Sequence, residues 1–363
     1  MTKYLLTTSV AALALGMASP SFAQKAGGGG GDDSATITQI GGSGNLAQQH
    51  QPGDGYGNIA YIKQDSDTQS SATQEQWRNL NSVDFAIGGK QTINQTGNYR
   101  STASQQDNGN GGDVQTATQT GNSVYGATAT SVTQTINSPL GTNNTQNSTQ
   151  TGNAGSSVNQ TIGSATPGSD TLYKNSQTAN QSGQTLSTIN QTIDGASHDN
   201  TQKATESGAG TGNSISQTIL ASVGDAQTAN ITGTSNYNTV TQLQQTGTLS
   251  NTQTASINNG SYNLVDQLQA AGSYSNTQHV TVDASSYGRA LQFQGAGVTG
   301  NSETISQTGG GSGNQAGQAQ GNNGNVASIS QVGGVGNMAV QNQGILVGAP
   351  GSMYVSGGLV YRH

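Results

Sequence analysis

The chain contains no cysteine, so no disulfide can supply its stability. Charged residues fill only 7% of its 363 positions, and the net charge of −7 comes without any basic stripe, which removes nucleic acid as a partner. Aromatic residues reach 4% and hydrophobic residues 30%, too few to fill a globular core for this length. With 54 glycines added, such a composition ordinarily belongs to a disordered chain. Disorder, though, is usually maintained by charge and keeps no register. This chain is nearly uncharged and keeps a strict one.

Residues for catalysis are equally scarce. His50, His198, His279 and His363 share no register and no metal-ligand spacing, which predicts solvated side chains. Asp and Glu do not recur at a fixed position, so the paired carboxylates of a polysaccharide-cleaving solenoid are not expected. Asp194, Asp199, Lys203, Glu206 and Asp225 cluster in sequence and read as charges that restrain aggregation. Glu206 is the exception, since its spacing from Gln202 projects it inward beside Gln181 and Ile231. Gly27 to Gly31 lacks the Lys-Ser/Thr of a phosphate loop. The repeat itself generates the sequons at Asn94, Asn159 and Asn190. The expectation is a non-enzyme without cofactor or metal.

The N-terminus has its own pattern. Lys3, the apolar run Leu5 to Met17 and the small residues of Ser21-Phe22-Ala23 predict a secretory signal peptide over 1–23, with export and a mature start at Gln24. Residues 24–33 then read as a Gly-rich flexible leader.

What the chain has in abundance is a repeated phrase. Asn213-Ser-Ile-Ser-Gln217 returns as Asn238-Thr-Val-Thr-Gln242, Asn263-Leu-Val-Asp-Gln267 and Gly288-Arg-Ala-Leu-Gln292, each step being 25 residues. A fixed period of this size means one supersecondary unit stacked on copies of itself. Within a phrase the period is two, that of a strand. One face aligns Val132, Val158, Ile189, Ile215, Val240, Val265 and Ala290. The same face aligns Gln134, Gln160, Gln191, Gln217, Gln242, Gln267 and Gln292. A second, interleaved phrase aligns Gln115, Gln146, Gln177, Gln202, Gln227, Gln253 and Gln278, followed two residues on by a column of small residues from Ala117 to Val280. Because the opposite faces carry no comparable order, the regular face is placed inside. Stacking then sets each amide about 4.8 Å above its copy, where it donates to one neighbour and accepts from the other. Steps of 31 from Gln115 to Gln146 and from Gln146 to Gln177 are assigned to enlarged turns at Ser138-Pro139-Leu140 and Thr166-Pro167-Gly168. Residues 65–89, with Trp77 and Phe85, fit the repeat least.

The fold expected is therefore all-β: a stacked cross-β solenoid over 34–343, two strands per ~25-residue repeat and about twelve layers, followed by an apolar tail over 344–363. The last repeat carries no polar cap, so its amide ladders are expected to be open to another copy.

Toward both ends the phrase takes a more specific form. Gln331, Gly333, Asn337, Ala339 and Gln343 repeat Gln307, Gly309, Asn314, Ala316 and Gln320, and again Gln39, Gly41, Asn45, Ala47 and Gln51. This resembles the curlin repeat, in which Gln-x-Gly and Asn-x-Ala-x-x-x-Gln recur in each strand-turn-strand unit. The resemblance implies a subunit of curli, the extracellular amyloid fibres that serve bacterial adhesion and biofilm. It also implies self-association as a homopolymer, with a nucleator or related curlin subunit and an outer-membrane secretion channel as partners. Two rivals stand beside it. A monomeric solenoid adhesin or fibre protein binding glycan needs an ordered outer face. An ice-binding solenoid needs a flat threonine array, but Leu264 and Asp266 replace Thr239 and Thr241 one layer on.

Overall fold

The computed structural model describes residues 22–26, 34–51, 58–76, 88–108, 112–137, 142–163, 172–344, 353–356 and 359–362. Most of the predicted signal peptide, Gly27 to Gly31, Trp77, Phe85 and the two proline segments lie outside these residues. Described strands from Ser34 to Gln343 form twelve pairs. The first strands of all pairs make one parallel sheet of 12 strands, and the second strands make part of another of 13. Two strands per turn, facing each other across a thin core, constitute a β-solenoid.

Register is kept from end to end. Gln217 lies beside Gln191 on one side and Gln242 on the other, and every strand pair in the stack aligns in this way. Alternation puts residues 215, 217 and 219 inside and 214, 216 and 218 toward solvent. The core is filled by exchange of size between the sheets. In the first three layers Ile37, Ile62 and Ile93 meet Ala47, Ala72 and Ala103. From the fourth layer the first strand carries Ala117, Ala179, Ala204, Ala229 and Ala255, and the second carries Val132, Ile189, Ile215, Val240 and Val265. At the far end Ile305 and Ile329 again meet Ala316 and Ala339. A close-packed interior of constant thickness requires this reciprocity, because one extra branched residue per layer would force the sheets apart.

Several expectations are corrected. Gln24–Ala26 is not flexible leader: Phe22–Ala26 forms a strand that pairs in parallel with Leu46–His50, Ala23 opposite Ala47. The exposed edge of a sheet attracts such pairing because its backbone groups otherwise lack partners. Residues 65–76 obey the repeat, with Ala72, Gln74 and Gln76 buried and the charge of Glu75 turned outward. Residues 77–87 of the same stretch lie outside the described residues. In the repeat after Gln115 the added length sits mainly at 121–130, where Tyr125 and Thr128 exchange backbone hydrogen bonds of 3.0 Å; the equivalent connection one layer on is 152–156. The connection containing Pro139 is close to ordinary length. Thr166-Pro167-Gly168 does fall in a long connection, between Ser157–Gly163 and Ser176–Ser182.

The outer face is also more ordered than the sequence suggests. Leu268, Leu291, Phe293 and Ala319 are buried on the solvent side of the second-strand sheet, with Leu243 packed against them. In the tail, Met353–Ser356 and Leu359–Arg362 pair as an antiparallel hairpin, and the first of these lies against Gln315–Gln320. The hairpin thus sits alongside the solenoid and pairs with neither of its last two strands, Val326–Val332 and Met338–Gln343.

Candidate functional site: interior amide ladders and end layers

The central column of the second-strand sheet is glutamine in all twelve layers, from Gln49 to Gln341. Each side-chain N–H donates to the oxygen of the next layer's glutamine. Gln134 to Gln160 is 2.7 Å, Gln160 to Gln191 2.8 Å, Gln191 to Gln217 2.8 Å, Gln217 to Gln242 2.7 Å, Gln242 to Gln267 2.7 Å and Gln267 to Gln292 2.8 Å. From Gln49 to Gln292 the second N–H of each amide crosses the core to a backbone carbonyl of the facing strand, as from Gln242 to Thr228 and from Gln267 to Thr254, both at 3.0 Å. A primary amide so placed is fully satisfied, and it ties layer to layer and sheet to sheet. The first-strand sheet has its own ladder from Gln91 through Gln115, Gln146, Gln177, Gln202, Gln227 and Gln253 to Gln278.

Two further glutamine columns escape the sequence reading. Gln39, Gln64, Gln95, Gln119, Gln150 and Gln181 stack in the first sheet, and Gln244, Gln269 and Gln294 in the second. Their signal was the same period, but apolar residues interrupt both, with Ile231, Ile257 and Val282 in one and Ile136, Ile162, Ile193 and Ile219 in the other. The asparagines of the phrase hold the corners. Asn200, Asn251 and Asn276 each accept the next layer's backbone N–H on the side-chain oxygen and donate across the bend to a carbonyl.

Carboxylates intrude on these columns. Glu206 takes a glutamine place: Gln181 donates to its Oε2 at 2.8 Å, the next layer offers only Ile231, and its Oε1 has no partner. Glu303, which the sequence reading passed over, does the same after Gln278 (2.9 Å), with Ala327 beyond it and its Oε1 unpartnered. Burial pushes both carboxyls well above the usual range, the amide donor opposing this only in part. Asp225 takes a corner asparagine place, where Asn251 N–H and the Thr248 hydroxyl donate to it. It is therefore a buried acid, not the surface charge the sequence suggested; Asp199 and Lys203 are exposed as expected. His198 lies 2.9 Å from Asp199 and stacks on Tyr173, and among the described residues no three His, Asp or Glu gather in a metal-holding group.

The terminal layers match each other. The first carries Ala35, Ile37 and Gln39 on one inner face and Ala47, Gln49 and Gln51 on the other; the last carries Ala327, Ile329 and Gln331, then Ala339, Gln341 and Gln343. Six inner positions agree in type. Gln307 and Gln320 continue this pattern in the penultimate layer, donating to Gln331 at 2.9 Å and Gln343 at 3.0 Å, while Asn314 and Ala316 are buried. Gly41, Gly309 and Gly333 take positive φ of 64°, 82° and 63° directly after the first strand, and Asn45 and Asn337 stand at the corners that follow. The ladders are directional, since the amides donate toward the C-terminal end and accept on the N-terminal side. Accordingly the Gln49 oxygen has no partner, and Ala339, Gln341 and Gln343 at the other end are only half-buried. Comparison with protein-family models gives no match, and comparison with curated proteins gives none either.

Proposed function

We propose that this chain is a self-assembling structural subunit of an extracellular fibre, extended by stacking the last layer of one copy on the first layer of another. The observation that carries the reading is the agreement of the two end layers at all six inner positions, together with the direction of the ladders. Donors at Gln341 and Gln343 meet acceptors at Gln49 and Gln51 only in a head-to-tail stack, and the join then repeats the spacing found inside the chain. The curlin-like motif around Gln39 to Gln51 and Gln307 to Gln343 supports a curli-type amyloid of adhesion and biofilm. The predicted export signal supports assembly outside the cell, with a secretion channel and a related subunit as partners. Cleavage after Ala23 divides the strand Phe22–Ala26 and so helps to free the Leu46–His50 edge.

Protein beginning at Gln24 is expected to form fibres on its own, with diffraction spacings of about 4.8 Å and about 10 Å. A chain retaining residues 1–23 should assemble more slowly. Persistently monomeric protein under seeding would sink the fibre reading and favour a solitary solenoid adhesin.

A further inference from the structure

One turn position accepts non-glycine residues in left-handed backbone, as a pair at Gln69 and Arg100, singly at Leu186, and then as three aromatic residues in succession. Tyr237, Tyr262 and Tyr287 occupy equivalent places between first and second strands, with φ of 53°, 58° and 55°. Glycine holds this place at Gly212 before them and at Gly313 and Gly336 after them, with φ of 65°, 67° and 67°. Left-handed backbone disfavours a bulky aromatic residue, and such outliers concentrate where a side chain is needed for something other than folding. The three rings form one stack: centroids are 5.1 Å apart at 16° for the first pair and 4.9 Å apart at 2° for the second. It begins over the bare backbone of Gly212, where a Cβ would lie 2.7 Å from the Tyr237 ring. All three residues are half or more exposed, at 51%, 50% and 61%.

We propose that these tyrosines form an oxidative cross-linking seam, in which adjacent phenols couple covalently and staple neighbouring layers. The co-reactants are hydrogen peroxide and a haem peroxidase that removes electrons singly. Each phenol loses one electron and its O–H proton to become a phenoxyl radical. Two ortho carbons then join in a C–C bond, the hydrogens on those carbons leave as protons, and the oxygens regain protons to restore two phenols. Two electrons and two protons are lost in all, and one peroxide takes them up to become two waters. Proximity favours coupling within the stack, since each radical is held against the ring it would join. Among the described residues Tyr99, Tyr125 and Tyr274 are similarly exposed but have no stacked tyrosine partner, and they serve as internal controls.

The test treats dilute, soluble full-length protein with peroxide and horseradish-type peroxidase, reads dityrosine fluorescence, and sequences the cross-linked peptides. The seam requires intrachain links joining Tyr262 to Tyr237 or Tyr287, each linked product lighter by two hydrogens. Tyr262→Phe preserves the ring stack but separates the remaining phenols by two layers, so these links should be lost. Tyr274→Phe should leave them intact, and urea-unfolded chain should not form them preferentially. Links mapped mainly to Tyr99, Tyr125 or Tyr274, links only between chains, or an undiminished yield in Tyr262→Phe would overturn the proposal. The measurement needs no fibre, so its outcome is independent of the assembly reading.

Discussion

Glu206→Gln combined with Glu303→Gln is expected to stabilise the folded chain near neutral pH by several kcal/mol and to flatten its dependence on pH. Both carboxyls lie in glutamine columns with burial as the dominant influence and one amide donor each. A protonated glutamic acid imitates glutamine there, whereas a carboxylate would be a buried charge facing Ile231 or Ala327. Holding a carboxyl protonated above its ordinary pKa of 4.5 costs about 1.4 kcal/mol for each pH unit, a cost the substitution removes. The sign follows from proton uptake. With the folded pKa raised, the native state binds more protons than the unfolded chain at intermediate pH. Stability is therefore full below about 4.5 and falls as pH rises toward the folded value. Asp67, which burial pushes up to about 6, and Asp113 and Asp225, which burial also raises, act in the same direction and should leave a residual slope in the variant. Urea unfolding of wild type and variant across pH 4 to 8 decides it. Parallel curves for the two proteins would mean that water or rearrangement satisfies both acids.

Much of this architecture could be read before any coordinates. Strand placement, facing and register came from a period of 25 and an alternation of two, because a solenoid requires the same contact in every layer. The columns of Gln134 and Gln202 were legible because their residue never changes over many layers. The spacing of Glu206 from Gln202 correctly placed it inward beside Gln181 and Ile231, but the rest of that column, switching between glutamine and isoleucine, hides from a search for identity though it occupies one register. So does the exchange of size between Ile93 with Ala103 and Ala117 with Val132, since it conserves a volume shared by two strands instead of a residue type. The outer strip of Leu268, Phe293 and Ala319 was missed for another reason: it spans only a few layers and so leaves no column in the repeat. Glu303 illustrates the limit of composition. Its 25-residue step from Gln278 places it inside, while its charge suggests the surface; register decides.

Gln242→Ala with Gln267→Ala should destabilise the chain by about 2–6 kcal/mol, taking about 1–3 kcal/mol for each of the two ladder amides, Gln217 and Gln292, left with an unpartnered group. Thr239→Ala with Leu264→Ala, in the same two layers but facing outward, should cost under about 1 kcal/mol. Removing the inner pair strands the Gln217 donor and the Gln292 oxygen and frees the carbonyls of Thr228 and Thr254. Removing the outer pair strands nothing, because Thr239 and Leu264 are half-buried neighbours on the solvent side. Denaturant midpoints measure the difference, and fibre lag times should rank the variants in the same order. Equal losses would mean that the interior contributes by volume alone. Gln242→Met with Gln267→Met separates volume from hydrogen bonding, since it fills the space but cannot donate. If amides specify alignment, the methionine variant should recover part of the stability yet give broadened, heterogeneous fibres, for an apolar column resists slippage less than a directional ladder.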